Sequence, residues 1–256
     1  MLKLSIAVFK KLKIATRVFT TPKPKSLQMN IAFIPLRSGS KSIPNKNIKL
    51  FCGKPLVFWS LYALQNAKGV DQIIVAIDCK HYESIINSFR LPKVSCYWRN
   101  AENSQDSSST ESVMLEYINH AKLNGEDTFI LAQATSPFIR SVDIDRALDQ
   151  LDKSNASSLL SCVLTKRFFW DNNGTPINYD FNMRPRRQDF DGMYMENGAF
   201  YINKVANIIN YQNRLTKPIT IFEMPEYSAV DIDEETDWIV AESLMNNLLL
   251  KGDGFA

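Results

Sequence analysis

Residues 30–47 read NIAFIPLRSGSKSIPNKN, a short apolar run that passes directly into a loop rich in serine and basic side chains. The run at 30–35 is rich in apolar residues and holds no charge, as is typical of a fully buried parallel strand. The loop contains no acid, and the first acidic residue of the whole chain is Asp71. A basic loop at the carboxyl end of a buried strand predicts a binding site for an anion.

The same kind of apolar run recurs along the chain, separated by helical patterns. Four further runs, at 72–77, 94–98, 128–133 and 158–164, have the length and composition of buried strands. A strand followed by a crossover and another strand, repeated, indicates a parallel sheet covered by helices on both faces. The sequence therefore predicts an α/β fold with a mostly parallel sheet.

Three helices are predicted between these strands, at 55–68, at 109–122 and after Ser141. Pro55 suits the first turn of the first helix. Ser108 and Glu111 form the S-x-x-E capping pattern for the second. We expect Asp143 and Asp145 in the first turn of the third, where the helix dipole favours acids.

Polar clusters follow the predicted strands at their carboxyl ends. Asp78 closes the second strand, RNAENSQDSSS at 99–109 follows the third, and ATSPFIR at 134–140 follows the fourth. In open α/β sheets, ligands bind outside the carboxyl ends of the strands. The polar clusters are therefore expected to share one site with the basic loop.

Composition excludes several classes of protein. The chain has 256 residues, of which 45% are hydrophobic and 22% charged, enough to bury one domain-sized core. It contains no apolar run of the length that spans a membrane. The four cysteines are scattered and only two histidines are present, which argues against a zinc site. We expect reduced, structural thiols and a cytoplasmic protein.

Charge is distributed unevenly. Residues 1–70 contain thirteen Lys or Arg and no acid, and seven of these cations lie in residues 1–28. The rest of the chain is net negative, with 23 basic against 27 acidic residues, which argues against nucleic-acid binding. We interpret 1–28 as an upstream extension without function, with Met29 as the natural start and 29–256 as one domain; an organellar targeting peptide is the alternative.

The basic loop does not have the spacing of a P-loop or of a dinucleotide-binding glycine motif. Ser38, Gly39 and Ser40 allow backbone N–H groups to turn inward, and Arg37 and Lys41, with Lys46, can surround a polyphosphate. A solvated basic turn is the alternative, and it fits a single lysine better than three cations without a neighbouring acid.

Four motifs, in order, resemble those of the cytidylyltransferases that activate sialic acids, the CMP-N-acylneuraminate synthetases. They are IPLRSGSKSIPNKNIKLFCGKPL at 34–56, AQATSPFIR at 132–140, RPRRQDFDGMYMENGAFYI at 184–202 and VDIDEETDW at 230–238. The resemblance spans residues 30 to about 245. It implies a Rossmann-like nucleotidyltransferase fold and a homodimer, with residues 166–196 reaching across to the partner.

The resemblance also implies roles for individual residues. The triphosphate of CTP would be held by the basic loop, and the cytosine would be read near Arg99. Paired aspartates would bind Mg²⁺, and a third set would line the sugar site. The nucleotide set is Arg37, Ser40, Lys41, Lys46, Asn47 and Arg99; the metal pair is Asp231 and Asp233; the sugar set is Gln133, Arg186, Arg187, Gln188, Tyr194 and Asn197. Arg37, Lys41 and the two aspartates would be the catalytic group.

The residues themselves support the metal pair. Positions two apart in an extended segment point the same way, so Asp231 and Asp233 would share a side while Ile232 turns into the core. Mg²⁺ prefers such hard oxygen ligands and completes its shell with phosphate oxygens. Alternatively, Asp233 caps a helix that begins near Glu234.

The sugar residues have structural alternatives as well. Arg186 and Arg187 can pair with Asp189 and Asp191 on a surface hairpin, or they can clamp the carboxylate of a sugar acid. The alternative for Gln133 is that its amide is merely a hydrogen-bond partner of backbone groups. Ser42 stands where the family often has glycine, so a positive φ there would strain the loop.

The reaction implied is attack by the anomeric hydroxyl of a nine-carbon keto acid sugar on the α-phosphorus of CTP. Pyrophosphate leaves and a CMP-sugar forms. Three alternatives stay open: the eight-carbon acid KDO as substrate, legionaminic or pseudaminic acid as substrate, and a nucleotide-binding regulator that has lost catalysis.

Overall fold

The computed structural model describes residues 28–40, 42–105 and 107–252. Lys41 and the leader up to residue 27 lie outside these ranges. No helix within the described part of the chain combines the length and apolarity needed to cross a membrane.

The elements alternate as the sequence predicts. In chain order they are β1 Asn30–Pro35, β2 Leu50–Phe51, β3 Lys54–Pro55, α1 Leu56–Asn66, β4 Gln72–Ile77, α2 Lys80–Ser88, β5 Val94–Trp98, α3 Thr110–Ala121, β6 Thr128–Ala132, α4 Ser141–Lys153, β7 Ser158–Thr165, β8 Met193–Lys204, α5 Val205–Tyr211, β9 Ile219–Met224 and α6 Glu235–Lys251.

Seven strands form one sheet in the order β5-β4-β1-β6-β8-β7-β9, and β2 and β3 form a small hairpin. Strands β5, β4, β1 and β6 run parallel, and β9 is parallel to β7. Among the described strands of this sheet, only β8 runs antiparallel to its neighbours, which are β6 and β7. The predicted α/β fold with a mostly parallel sheet is confirmed.

Apolar side chains alternate between the two faces of the sheet. On β1, Ala32 and Ile34 join a core with α1, α2 and α4, whereas Ile31 and Phe33 join a core with α3 and α5. A third cluster packs α6 against α1 and the hairpin. Helices therefore cover both faces, and the carboxyl ends of β1, β4 and β6 are left to form a site.

The predicted strands agree with the structure to within one residue, but the predicted caps need correction. The N-cap of α3 is Ser109, whose side chain accepts a hydrogen bond from Ser112 N, and not Ser108. Pro55 is the N-cap of α1 and not a first-turn residue. Because several serines precede α3, the S-x-x-E spacing alone could not select the capping one.

The aspartates predicted for the first turn of α4 have different roles. Asp143 lies in the first turn and accepts from the backbone and the guanidinium of Arg140. Asp145 instead accepts from the backbone N–H groups of Lys68 and Gly69, at 3.2 and 2.8 Å. It therefore joins α4 to the turn after α1.

The sequence does not predict β8, which contains an irregularity at its centre. Residues 197–200 lie opposite the single residue Ser161 of β7, and Gly198 has a φ of 69°. Such a bulge breaks the period of two on which strand prediction depends. The irregular excursion predicted at 166–196 ends earlier, because β8 begins at Met193.

Candidate active site

The loop after β1 is held at both ends by hydrogen bonds. Ser38 N donates to both carboxylate oxygens of Asp78, at 3.0 and 3.2 Å, and the amide of Asn47 donates to the carbonyl of Arg37 at 3.1 Å. Asn45 takes the left-handed conformation with a φ of 53°, and Ser42 does not. The expected strain at Ser42 is therefore absent, since asparagine, which tolerates this conformation, makes the turn.

A cleft of about 290 Å³ opens between this loop and the amino end of α3. Arg37 and Arg99, both assigned to the nucleotide by the sequence, line it together. The other lining residues are Pro35, Gln105, Ser108, Ser109, Thr110 and Val113. The polar stretch after β5 thus meets the basic loop, as expected for strands whose carboxyl ends share an edge.

Arg99 also has a structural role within this cleft. Its Nη2 donates to the carbonyls of Leu36 and Ala76 at 2.6 and 3.1 Å, and its Nε donates to Ala76 at 3.2 Å. Burial lowers the pKa of its guanidinium, and the nearby Asp78 raises it. Arg99 therefore fixes the ends of β1 and β4 relative to each other.

Lys46 does not point into the cleft. Its ammonium group is buried and donates to the carbonyl of Ile232 at 2.6 Å and to Oδ1 of Asp233 at 2.9 Å. The structure therefore brings a residue predicted to bind the nucleotide into contact with the predicted metal pair. Ser40 is partly exposed in the same loop, and Lys41 lies outside the described residues.

Asp231 and Asp233 flank a buried residue, as predicted. Ile232 is fully buried and its N–H donates to the carbonyl of Thr135 at 3.0 Å. Oδ1 of Asp231 is buried and has no hydrogen-bond partner among the described residues. Burial raises the pKa of Asp231; a hydrogen bond from Thr135 lowers it, and the nearby charge of Asp233 raises it. The carboxylate of Asp233, in contrast, is 71% exposed.

The alternative that Asp233 caps a helix is wrong. The N-cap of α6 is Glu234, and Oδ2 of Asp237 accepts from the N–H groups of Asp233 and Glu234, at 3.0 and 2.8 Å. The acid inside the first turn therefore satisfies these donors. Neither Asp231 nor the side chain of Asp233 is needed to start the helix.

The bulge in β8 brings a third group to Asp231. A Cβ atom on Gly198 would lie 3.5 Å from Oδ2 of Asp231 and 3.8 Å from Nε2 of Gln133. Gln133 follows β6, and its N–H donates to the carbonyl of Ala199 at 3.1 Å. The carboxylate of Asp231, the amide of Gln133 and the backbone of Gly198, which has no side chain, thus surround one small space. Sequence reasoning missed Gly198, although the dipeptide Asn-Gly inside an apolar run indicates a bulge.

Asn197, which precedes Gly198, lies on the buried side of this space. It is buried, its amide donates to the carbonyl of Ser228 at 3.2 Å, and its Oδ1 accepts from Ser161 Oγ at 2.7 Å. These hydrogen bonds give the amide of Asn197 a structural role on the inward-facing side of β8, and its predicted contact with the sugar stays a prediction.

The other residues predicted for the sugar are exposed, and no hydrogen bond or ion pair within the described ranges joins them to Gln133 or Asp231. Arg186 pairs with Asp189 at 2.5 Å, as the structural alternative predicts. Arg187 pairs with Glu226 at 3.3 Å rather than with Asp191. Tyr194 donates to Glu223 at 2.7 Å. Gln188 lies in the exposed turn between the arginines and Asp189.

The sequence of this chain is similar to the sequences of known enzymes. A chain from Oncorhynchus mykiss named N-acylneuraminate cytidylyltransferase is 38% identical over 82% of this chain and 49% of its own length. N-acylneuraminate cytidylyltransferase B of Danio rerio is 36% identical over 82% of this chain and 50% of its own. The chain thus spans about half the length of these curated relatives.

The fold is shared with solved nucleotidyltransferases. The structure of a CMP:2-keto-3-deoxy-manno-octonic acid synthetase complexed with CTP superposes with a TM-score of 0.63 at 18% identity, covering 86% of this chain and 99% of that one. A family model described as cytidylyltransferase matches residues 31–252. The chain therefore belongs to the cytidylyltransferase family.

Proposed function

We propose that this chain transfers CMP from CTP to the anomeric hydroxyl of a sialic-type nonulosonic acid and releases pyrophosphate. The observation that supports it best is the buried, unpartnered oxygen of Asp231. The other oxygen of this carboxylate, Oδ2, would lie 3.5 Å from a Cβ atom on Gly198, next to Gln133, at the sheet edge that carries the basic loop. The nature of the acceptor rests on the relatives named N-acylneuraminate cytidylyltransferase.

The nucleotide would occupy the cleft of Arg37 and Arg99. Backbone N–H groups of the loop and the cation of Arg37 would face the phosphates, with Ser40, Lys41 and Asn47 beside them. Ser38 N is held by Asp78 in the structure, so the start of the loop has a fixed position. Arg99 would contribute by keeping the two strand ends in place.

Asp231 and Asp233 are the residues that would hold a divalent cation such as Mg²⁺. The donor set fits, because both are hard oxygen ligands and one oxygen of Asp231 is buried without a partner. Among the described residues, no group of three or more acidic, histidine or cysteine side chains is arranged to hold a metal ion. A pair is sufficient, since Mg²⁺ at nucleotide sites takes one or two carboxylates and fills its shell with phosphate oxygens. When bound, the cation would neutralise phosphate charge.

The sugar acid would lie on the side of Gln133. The amide of Gln133 would orient its hydroxyls, and Arg186 or Arg187, with Gln188 and Tyr194, would approach its carboxylate from the excursion. The arginines form only exposed ion pairs in the structure, and such pairs are weak enough to be exchanged for a substrate carboxylate.

The chemistry needs no covalent intermediate. The chain would hold the anomeric hydroxyl in line with the α-phosphorus and place cations around the triphosphate. As the new O–P bond forms, the bond from the α-phosphorus to pyrophosphate breaks on the opposite side, and the hydroxyl proton passes to solvent. The catalytic contribution of the chain is thus positioning and charge neutralisation by Arg37, Lys41 and the residues that hold the cation.

A homodimer is part of the proposal, in a cytoplasmic protein with residues 29–256 as its catalytic domain. The excursion between β7 and β8 presents a row of large apolar side chains to solvent. These are Phe169, Trp170, Ile177, Phe181 and Met183, at 37 to 78% exposure. Several large apolar side chains exposed in one segment are typical of an interface.

Pyrophosphate release from CTP tests the proposal. The protein would be assayed with Mg²⁺ and, in turn, N-acetylneuraminate, legionaminate, pseudaminate, KDO or no acid. Release that depends on a nine-carbon acid supports the proposal, and the preferred acid defines the substrate. Release with KDO alone would show that the acceptor is KDO and not a nine-carbon acid. CTP binding without turnover on any acid would indicate a regulator.

A further inference from the structure

Lys46 occupies an unusual position for a cation of a phosphate-binding loop. Its side chain is only 10% exposed, and it donates to the backbone of Ile232 and to the carboxylate of Asp233 on the far side of the site. One ammonium group therefore bonds both to the backbone between the two aspartates and to the carboxylate of Asp233.

We propose that Lys46 takes the place of the divalent cation in the ligand-free protein, so that the ion must displace its ammonium group from Asp233. This inference rests on the proposed function and concerns how its site is filled. A carboxylate that accepts from an ammonium group at 2.9 Å has one oxygen committed to it. Displacement frees Lys46, at the base of the loop, to reach the phosphates of the nucleotide.

The burial of the two partners supports exchange rather than a fixed ion pair. Asp233 is 71% exposed and can rotate towards an incoming ion, whereas the stem of Lys46 is anchored in the short turn Lys46–Ile48. An ion pair with one solvated partner contributes little stability and is replaced at low cost. Cation and nucleotide would then bind cooperatively, because each favours the same arrangement of Lys46.

The proposal predicts effects of opposite sign in one variant. Lys46→Met should bind Mn²⁺ more tightly than wild type in the absence of nucleotide, because its competitor is gone. The change should be roughly tenfold if the ion pair is formed in about nine molecules of ten. The same variant should bind CTP more weakly in the presence of Mg²⁺. A residue that only supports the fold would weaken both.

Electron paramagnetic resonance of free Mn²⁺, with no nucleotide present, measures the first effect, and calorimetry with CTP and Mg²⁺ measures the second. Lys49→Met is the matched control. Lys49 lies directly after the same turn and pairs with Glu235 at 3.1 Å, so its loss removes an equal charge nearby without freeing Asp233. Lys46→Gln, a polar replacement, repeats the test if the methionine variant does not fold.

In an Asp233→Asn background, Lys46→Met should no longer tighten Mn²⁺ binding, since the contested carboxylate is absent. Mn²⁺ affinity that is equal to or weaker than wild type in both Lys46 variants, or an equal gain in Lys49→Met, overturns the inference. These titrations need no sugar acid. They are therefore independent of the pyrophosphate assay, and failure of one is distinguishable from failure of the other.

Discussion

At the scale of single residues, the buried carboxylate of Asp231 lowers the stability of the folded chain, yet the fold holds it in a defined position. Its carboxylate is buried with one unpartnered oxygen, and burial raises its pKa, so the ionised form is held at a cost. Groups of this kind persist where function requires them. This makes a mutation of Asp231 informative about both function and stability.

Asp231→Asn should reduce turnover at least about a hundredfold, the usual effect of removing a group that stabilises developing charge. Its Tm at neutral pH in metal-free buffer should be equal to or above that of wild type, because a neutral amide is less costly to bury than a carboxylate. Asp233→Asn should lose turnover similarly. A Tm several degrees lower in Asp231→Asn would instead indicate a structural role.

Arg37 is the second residue whose function can be isolated. A charge-assisted contact to phosphate is worth about 1.5–3 kcal/mol, so Arg37→Ala should raise the KM for CTP roughly tenfold to a hundredfold. The KM for the sugar acid should change little. Lys68→Ala is a suitable control, since Lys68 is exposed in the turn after α1. Unchanged CTP affinity in Arg37→Ala would contradict a phosphate role.

At the scale of elements, the excursion and its two arginines test which side of the site receives the sugar. An Arg186→Ala, Arg187→Ala double variant should raise the KM for the acid and leave CTP nearly unaffected. Reducing the acid of the substrate to an alcohol should impair wild type strongly and the variant far less. An equal penalty in both proteins would mean that these arginines only form the surface pairs with Asp189 and Glu226 seen here.

The amino end of α3, which lines the cleft, is tied to the segment after α5 by an ion pair. Arg214 donates to Glu111 at 2.6 Å, and the two side chains are 21% and 22% exposed. Burial alone would raise the pKa of Glu111, but the hydrogen bond and charge of Arg214 lower it below its ordinary value of 4.5. A depressed carboxylate pKa contributes stability above the unfolded pKa, and this stability is lost as pH falls through the native pKa.

Glu111→Gln should therefore lower the Tm at pH 7 by ~2–4 °C, corresponding to about 1 kcal/mol in a chain of this size. The difference from wild type should shrink as pH falls below 4.5. Asp149→Asn, which removes an exposed pair with Lys153, should have little effect and serves as the control. A Tm difference that is constant from pH 7 to pH 3 would show that the charge of Glu111 is not responsible.

Much of the fold was accessible from sequence, because β1, β4, β5, β6 and β7 are mostly apolar runs of strand length without a charged residue. The basic loop could also be located, since it follows an extended segment. Arg99 and the aspartate pair were assigned through the resemblance to the sialic acid cytidylyltransferases, and the spacing of two residues supported the pair. The position of Gly198 could not, because the bulge in β8 changes which residues face the site. The partner of Lys46 lies 187 residues away, and local patterns carry no information about such contacts.

At the scale of the whole molecule, the exposed apolar side chains of the excursion predict a dimer. Phe181→Glu with Met183→Glu places two charges on this surface, where the side chains are 58% and 78% exposed, and should give a monomer by light scattering. Leu50→Glu, at a residue 66% exposed in the β2–β3 hairpin, should leave the wild-type mass unchanged. A dimer that survives the double substitution would exclude the excursion as its interface.

The central claim concerns which phosphorus atom is transferred, and ³¹P NMR of one reaction mixture tests it most directly. With protein, Mg²⁺, CTP and N-acetylneuraminate, the account predicts that the three CTP resonances are replaced by one phosphodiester resonance and by pyrophosphate, in equal molar amounts. No change should occur when the acid is omitted. Formation of CDP and inorganic phosphate, or of CMP and pyrophosphate without the acid, would contradict cytidylyl transfer to a sugar acid.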